Sequence, residues 1–273
     1  MAFSSGTSKK AIAEIIVSQL DADTMATVIV PIDPPVKYAI YVATDLELTS
    51  VLKRLDNVTR QLSGSVLVYS GTSRTGIRIS AIKTGQGNSN SAAVVSATLK
   101  LIQPAAAIFS GISGALYDLP FGTVVIAEYV YDYESAEIGD KKAARSKSLA
   151  PNQRLLQIAG ESLQQAIAGI PKIVMRPIAS GEKLLRLQSG GEFEWVKLIA
   201  SDAAVVEMEG LGFLRACEFA DVPGLIVRSV SDHLLDKTAA NDVHNQPSAA
   251  GNAATVAMGI IDSIEELSNS DAG

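Results

Sequence analysis

The sequence predicts an α/β fold whose mostly parallel sheet is covered by helices on both faces. Three observations carry this. From Tyr38 onward, short apolar β-rich runs take turns with longer amphipathic runs, the order of a strand–helix–strand chain. The amphipathic runs place apolar residues at i, i+3, i+4 and i+7, as in Leu48, Val51, Leu52 and Leu55, the spacing of a helix lying on a core. The 273 residues, 47% of them hydrophobic, suffice for one large core.

The elements follow in order. Residues 1–36 read as an appendage: Ala11–Leu20 fits one helix, and Pro31, Pro34 and Pro35 then interrupt regular structure. Residues 37–273 form the main domain. Lys37–Ala43 is expected as a strand and Asp45–Asp56 as a helix. Strands follow at Ser65–Ser70 and Ile77–Lys83. The glycine turn TGQGNSNSA leads into a helix with Ala92, Val95, Leu99 and Ile102 on one face. Ala105–Ser110 is a strand running into GISGAL, and the run from Thr123 to Tyr133 is β-rich but alternates poorly. Glu134–Ala150 is charged and aperiodic and reads as a loop. Asn152–Ala168 is helical and Lys172–Ala179 a strand leading to SGEKLL. Two apolar runs around Val205 and Leu225 flank a helix at 210–220. Ser231–Pro247 reads as a long polar loop, and Ser248–Leu267 as a closing helix with Val256, Ile260, Ile264 and Leu267 inward.

Composition excludes several classes of partner. Charged residues make up 19% of the chain, the formal net charge is -6, and no basic run occurs. This argues against nucleic acid and anionic membrane. No apolar run reaches the roughly 18 residues of a membrane span. The N-terminus shows no small-residue cleavage site after its apolar pattern, so it is not read as a secretory leader. The single cysteine, Cys217, permits no internal disulfide and fits a reducing, cytoplasmic compartment. Its apolar neighbours mark it as a core residue. His233 and His244 have no partners at ligand spacing, so no metal site is expected.

The chemistry concentrates between Val205 and His233. Two apolar runs each end in an acid, Glu209 and Asp232, with one helix between them. Two strands flanking one crossover helix would carry both acids to the same sheet edge, where α/β proteins bind ligands. One carboxylate can accept ligand hydroxyls and another can give or take a proton. The plainer alternative is that Glu209 opens the helix and Asp232 caps a loop. Glu47 has two readings as well. Thr44 and Glu47 fit a capping box, and Glu47 also follows the first strand closely enough to face a ligand. The turns at Gly85, at Gly111–Gly114 and at Ser180–Glu182 can expose backbone N–H groups to a ligand. TGQGNSN lacks the spacing of a nucleotide-phosphate loop.

Together these segments resemble the nucleoside phosphorylase and nucleosidase superfamily, and most of all the 5'-methylthioadenosine/S-adenosylhomocysteine nucleosidases. VVEMEG (205–210) and IVRSVSD (226–232) carry the resemblance most specifically. KTGQGNSNSA, SGISGAL, SGEKLL and ATDLE (43–47) support it. The resemblance implies a three-layer αβα sandwich around a mixed, partly closed sheet, with no cofactor. It implies hydrolysis of the N-glycosidic bond of a small-molecule purine nucleoside by a homodimer or larger homo-oligomer. Residue by residue, it gives Asp232 the role of general acid at the purine, supported by Ser231. Glu47 handles the attacking water. Glu209 binds the ribose hydroxyls and Met208 packs on the sugar. Gly85, Gly111, Ser113, Leu184 and Leu185 complete the binding site. The chain departs from the nucleosidases at Ile112-Ser113, where they carry serine-alanine, and at Leu184 or Leu185, where they carry an aromatic residue. Phe109 stands where the bacterial phosphorylases place a phosphate-binding arginine, which favours water over phosphate, although Arg74, Arg78 and Lys83 offer charge. Phosphate-dependent cleavage and a non-catalytic nucleotide-sensing module are the alternatives.

Overall fold

The computed structural model describes residues 36–138, 142–145, 147–162, 167–185, 191–234 and 239–270. The expected appendage up to residue 35, with its helix over Ala11–Leu20, lies outside them. Strand β1 (Tyr38–Val42) sends Tyr38, Ile40 and Val42 to one core and Ala39 and Tyr41 to another, as the period of the pleat requires. Helix α1 (Asp45–Leu52) stops short of the expected Asp56, because Asp56 opens β2 (Asp56–Ser63). β2 is an edge strand, mostly exposed, with Val58 and Leu62 set among polar residues, so no clear alternation announces it. β3 (Val66–Thr72), β4 (Arg78–Lys83), α2 (Asn88–Ile102), β5 (Ala106–Ala115) and β6 (Val124–Asp132) follow.

The 134–150 segment is not the plain loop its composition suggested. It contains the small strands β7 (Ala136–Ile138), β8 (Lys142–Ala144) and β9 (Ser148–Leu149). β7 pairs with β8, and β9 with β6. Pairings this short leave no periodic trace. Then come α3 (Gln153–Ser162), β10 (Ile173–Ser180), α4 (Gly191–Ile199), β11 (Val205–Glu207), α5 (Gly210–Ala220), β12 (Gly224–His233) and α6 (Ala239–Ser270). The polar stretch expected as a loop over Ser231–Pro247 is strand to His233 and helix from Ala239. Pro247 lies inside α6, where its exposed position tolerates the missing N–H that otherwise signals a break.

The main sheet runs β11-β10-β6-β12-β5-β1-β4-β3-β2, and β11 also pairs back onto β5. Strands β5, β12, β6, β10 and β11 therefore close a ring at one end of an otherwise open sheet. β1 runs parallel to β4 and β5, and β12 parallel to β5, whereas β12–β6 and β11–β5 are antiparallel. Leu48, Val51, Leu156, Val256 and Ile260, from α1, α3 and α6, pack on one face. Val95, Leu99, Phe213, Leu214 and Cys217, from α2 and α5, pack on the other. The result is three layers around a mixed sheet. Cys217 is buried in the second core, and burial pushes its thiol pKa up.

Two helices approach closely at Gly212. A Cβ there would stand 2.0 Å from the Asn88 carbonyl oxygen, so the first turns of α2 and α5 approach only because the side chain is absent. Gly212→Ala is expected to lower the unfolding free energy by about 1–3 kcal/mol, the usual scale of overpacking. Denaturant titration checks this, and an unchanged midpoint would contradict the close approach.

Candidate active site

Three local devices aim the acids. The first is the turn after β11. Glu209 is the N-cap residue of α5, but its side chain makes no cap bond. Glu207 does that work instead, accepting from the N–H groups of Glu209 (2.9 Å) and Gly210 (3.0 and 2.9 Å). The Glu209 carboxylate is thereby released toward Gly87, whose N–H it accepts at 3.0 Å. The second device is an irregularity in β12. Val230 pairs with Ser113 and Asp232 with Gly114, so Ser231 is an extra residue. Such a bulge re-aims the side chains beside it. Ser231 Oγ donates to Asp232 Oδ2 at 2.8 Å and lies 3.3 Å from the Ser113 carbonyl oxygen. The third is the capping box of α1. Glu47 accepts from the Ala43 and Thr44 N–H groups at Oε2 (both 2.8 Å), and Thr44 Oγ1 accepts from the Glu47 N–H at 3.3 Å. The capping reading of Glu47 is therefore correct. Its other oxygen also reaches β5, accepting the Ile112 N–H at 2.8 Å.

All three acids meet in one cavity of about 290 Å³, near the lower end for a small-molecule site. Ser113, Leu184, Leu185, Met208 and Ser231 line it as well, with Gln86, Gly114, Lys183, Glu207 and Gln246. Gly85 and Gly111 are not part of that lining. Gly111 makes room for side chains of the protein itself: a Cβ there would stand 2.3 Å from Arg228 Nη1 and 2.6 Å from Glu47 Oε1. The segment expected as a turn at Gly111–Gly114 is interior to β5, and Ser231–Asp232, expected to open a loop, is interior to β12. Nor do two neighbouring parallel strands carry the acids, as spacing suggested. β11 and β12 each pair with β5, in opposite directions, because the sheet coils far enough to close. A larger open cleft of about 860 Å³, lined by Glu128, Tyr129, Arg154, Met175 and Leu267, gathers none of the motif segments. Among the described residues, no group of three acids, histidines or cysteines could hold a metal ion.

A family model described as the phosphorylase superfamily matches residues 37–264. The chain belongs to that superfamily. A 5'-methylthioadenosine/S-adenosylhomocysteine nucleosidase from Desulfotalea psychrophila is 23% identical over 241 residues, covering 84% of this chain and 99% of that protein. The ATP nucleosidase Cap17 of Escherichia coli is 33% identical over 193 residues, 60% of this chain but 37% of its own length. Among solved structures, the Colwellia psychrerythraea methylthioadenosine/adenosylhomocysteine nucleosidase in complex with adenine superposes with a TM-score of 0.73 at 18% identity. That match covers 84% of this chain and 96% of the other.

Two residues of this superfamily member escaped the sequence reading. Arg228 is fully buried in β12, paired with Glu207 and, at 3.1 Å, with Glu209, and its guanidinium lies 4.6 Å from the centre of the Phe109 ring. Glu207 is the second carboxylate of that pair. A signal existed: Arg228 is the one charge within the apolar run GLIVRSV, and a charge inside a buried strand requires a partner. Burial works against the charge on Arg228, but Glu207, Glu209 and Glu47 outweigh it and raise its pKa. Lys83, considered as an anion ligand, pairs instead with Asp45 at 2.7 Å, and neither Arg74 nor Arg78 lines the cavity.

Burial pushes the Glu209 carboxyl up to about 7. Glu207 and Glu47 add to the rise, while Arg228 and the Gly87 N–H oppose it. The folded state thus holds this proton more tightly than the unfolded chain does. The stability that follows is complete below the ordinary value of 4.5 and is lost as pH rises to about 7. Wild type should therefore lose stability relative to Glu209→Gln across that window. Parallel denaturation curves at several pH values test this, and a constant difference between the two proteins would refute it.

Proposed function

We propose that this chain hydrolyses the N-glycosidic bond of a purine nucleoside, releasing free base and free sugar. One observation carries the reading: Glu47, Glu209 and Asp232 converge on one cavity, and the cation buried beside them, Arg228, is already held by two carboxylates. In the reaction, Asp232 gives a proton to the purine ring nitrogen, N7, while Ser231 holds its other oxygen. The bond from C1' to the base breaks and leaves positive charge on the sugar. Anionic Glu209 and Glu47 stabilise that charge, and Glu209 also accepts the 2' and 3' hydroxyls. Glu47 takes a proton from water, which attacks C1' on the opposite face. A carboxylate has about four acceptor sites, and backbone N–H groups fill three at Glu47. The fourth is left for water. Met208 packs on the sugar and Leu184 and Leu185 on the base. The division of labour between two carboxylates is that of glycoside hydrolysis.

The names of the relatives support a purine substrate, and methylthioadenosine-like nucleosides are the first to test. Lys183 lines the cavity, with Glu134 and Glu192 3.8 and 3.5 Å from its ammonium. This balance of charge favours a 5' group that is not a polyphosphate. Residues 37–273 are the catalytic unit, acting in the cytoplasm as a homodimer or larger. The poorly alternating run Val124–Tyr133 does not motivate the oligomer, since most of β6 is buried inside the sheet. The exposed Tyr117, Phe121, Leu184 and Leu198 do. A monomer mass by light scattering at micromolar concentration would end that part of the proposal.

Purine release, measured with and without phosphate, tests the reaction. The rate should be the same in both, with free sugar as product. A sugar 1-phosphate formed only with phosphate would overturn hydrolysis in favour of phosphorolysis, and no release from any nucleoside would favour a sensing module. Asp232→Asn should lower kcat by on the order of 10²-fold or more. Glu47→Gln should lower both activity and stability, the latter by about 1–3 kcal/mol, since an amide cannot accept at both of its ends. Activity per folded molecule equal to wild type would remove Glu47 from the chemistry.

A further inference from the structure

Helix α2 has Gly87 as its N-cap residue and no side-chain cap of its own, so its first N–H groups need partners from elsewhere. Two glutamates from distant segments supply them. Glu209 accepts the Gly87 N–H at 3.0 Å. Glu182 accepts both the Ser89 N–H (2.8 Å) and the Ser89 hydroxyl (2.7 Å) at one oxygen. Its other oxygen lies against Gly87, where a Cβ would stand 2.5 Å away. A carboxylate is favoured there by the helix dipole. Asn88, between the two, has its side-chain oxygen on the Gly212 N–H (2.9 Å) and the Ser180 hydroxyl (3.2 Å). The Glu182 N–H in turn donates to Glu134 Oε2 at 2.8 Å, and the next three residues, Lys183, Leu184 and Leu185, form cavity wall.

We propose that Glu182 is a positioning residue for the reaction. It clamps the turn that delivers the Gly87 N–H to Glu209, and it ties that turn to the wall at Lys183–Leu185. This rests on the nucleosidase reading above. The groups facing Glu209 are Glu207, Glu47, Arg228 and the Gly87 N–H, and the last of these favours its ionised form. Loosening the clamp weakens that hydrogen bond. Glu209 then keeps its proton to higher pH and binds sugar hydroxyls less well below it. A residue that merely stabilised the loop would alter the melting temperature without touching the ionisation of Glu209.

The test compares Glu182→Ala and Glu182→Gln in the full chain. It reads the pH profile of kcat/KM for purine release, the melting temperature, and hydrogen exchange at the Gly87 amide. With alanine, the acid limb should move to higher pH, and kcat/KM near about pH 6 should fall about tenfold more than near about pH 8, the scale of a hydrogen bond to a charged group. KM should change more than kcat, and the Gly87 amide should exchange faster. Glutamine keeps an acceptor for Ser89 and should restore most of the wild-type profile. An alanine variant with a lower melting temperature but an unchanged pH profile and unchanged Gly87 exchange would overturn the clamp. Should the alanine variant not fold, Ser89→Ala, which removes one of the two bonds, should shift the same readouts less, and its indifference would overturn the proposal equally. A wild-type chain that releases no purine would refute the nucleosidase reading instead. Gly87 exchange would still decide whether the clamp exists.

Discussion

Arg228 has no exposed surface, and a guanidinium in that position is tolerated only with carboxylates in reach. Much of the site follows from this requirement. Glu207 pairs with it and caps α5 with the same group. Glu209 pairs with it and continues to the start of α2. Glu47 adds a third negative charge felt by the guanidinium, across a strand position that has to be glycine. The Phe109 ring closes the remaining side, where an arginine would place a second positive charge against the first. The cluster leaves the cavity rich in acid. Such a field suits a sugar that becomes positive during bond cleavage and opposes a second anion such as phosphate.

Much of this was legible from residues alone, for identifiable reasons. Val205–Glu209 and Ile226–Asp232 form contiguous motifs, and Thr44–Glu47 is a local capping pattern, so short-range chemistry exposes them. The helices around Leu48, Leu99 and Val256 declare themselves by period. The edge strand β2 is mostly exposed, and its Val58 and Leu62 are too few and too far apart to declare a strand. Pro247 and its polar neighbours look like a loop, because exposed helix and loop share composition. Arg228 and Glu207 were passed over because their partnership depends on which strands neighbour β5, a fact of topology rather than of spacing. The roles of Gly111 and Glu182 belong to the same class: each is defined by a side chain that arrives from far along the chain.

The ring of strands has an uneven seam. β12 is laced to β5 along most of its length, from Gly224 to His233. The pairing of β11 with β5 consists, among the described residues, of Val205 with Ala115 and Val206 with Gly114. Gly114 and Ala115 are also the partners of Asp232 and His233, so the weakly laced joint and the firmly laced one meet at these two residues. The span between the strand bearing Asp232 and the turn bearing Glu209 is thus held less by backbone pairing than by the buried ion pairs of Arg228 with Glu207 and Glu209. Substitutions at Val205, Val206 or Met208, or in the facing stretch of β5, can widen or narrow the chamber while the charge arrangement stays as it is. The seam is where one architecture can be retailored to guests of different girth.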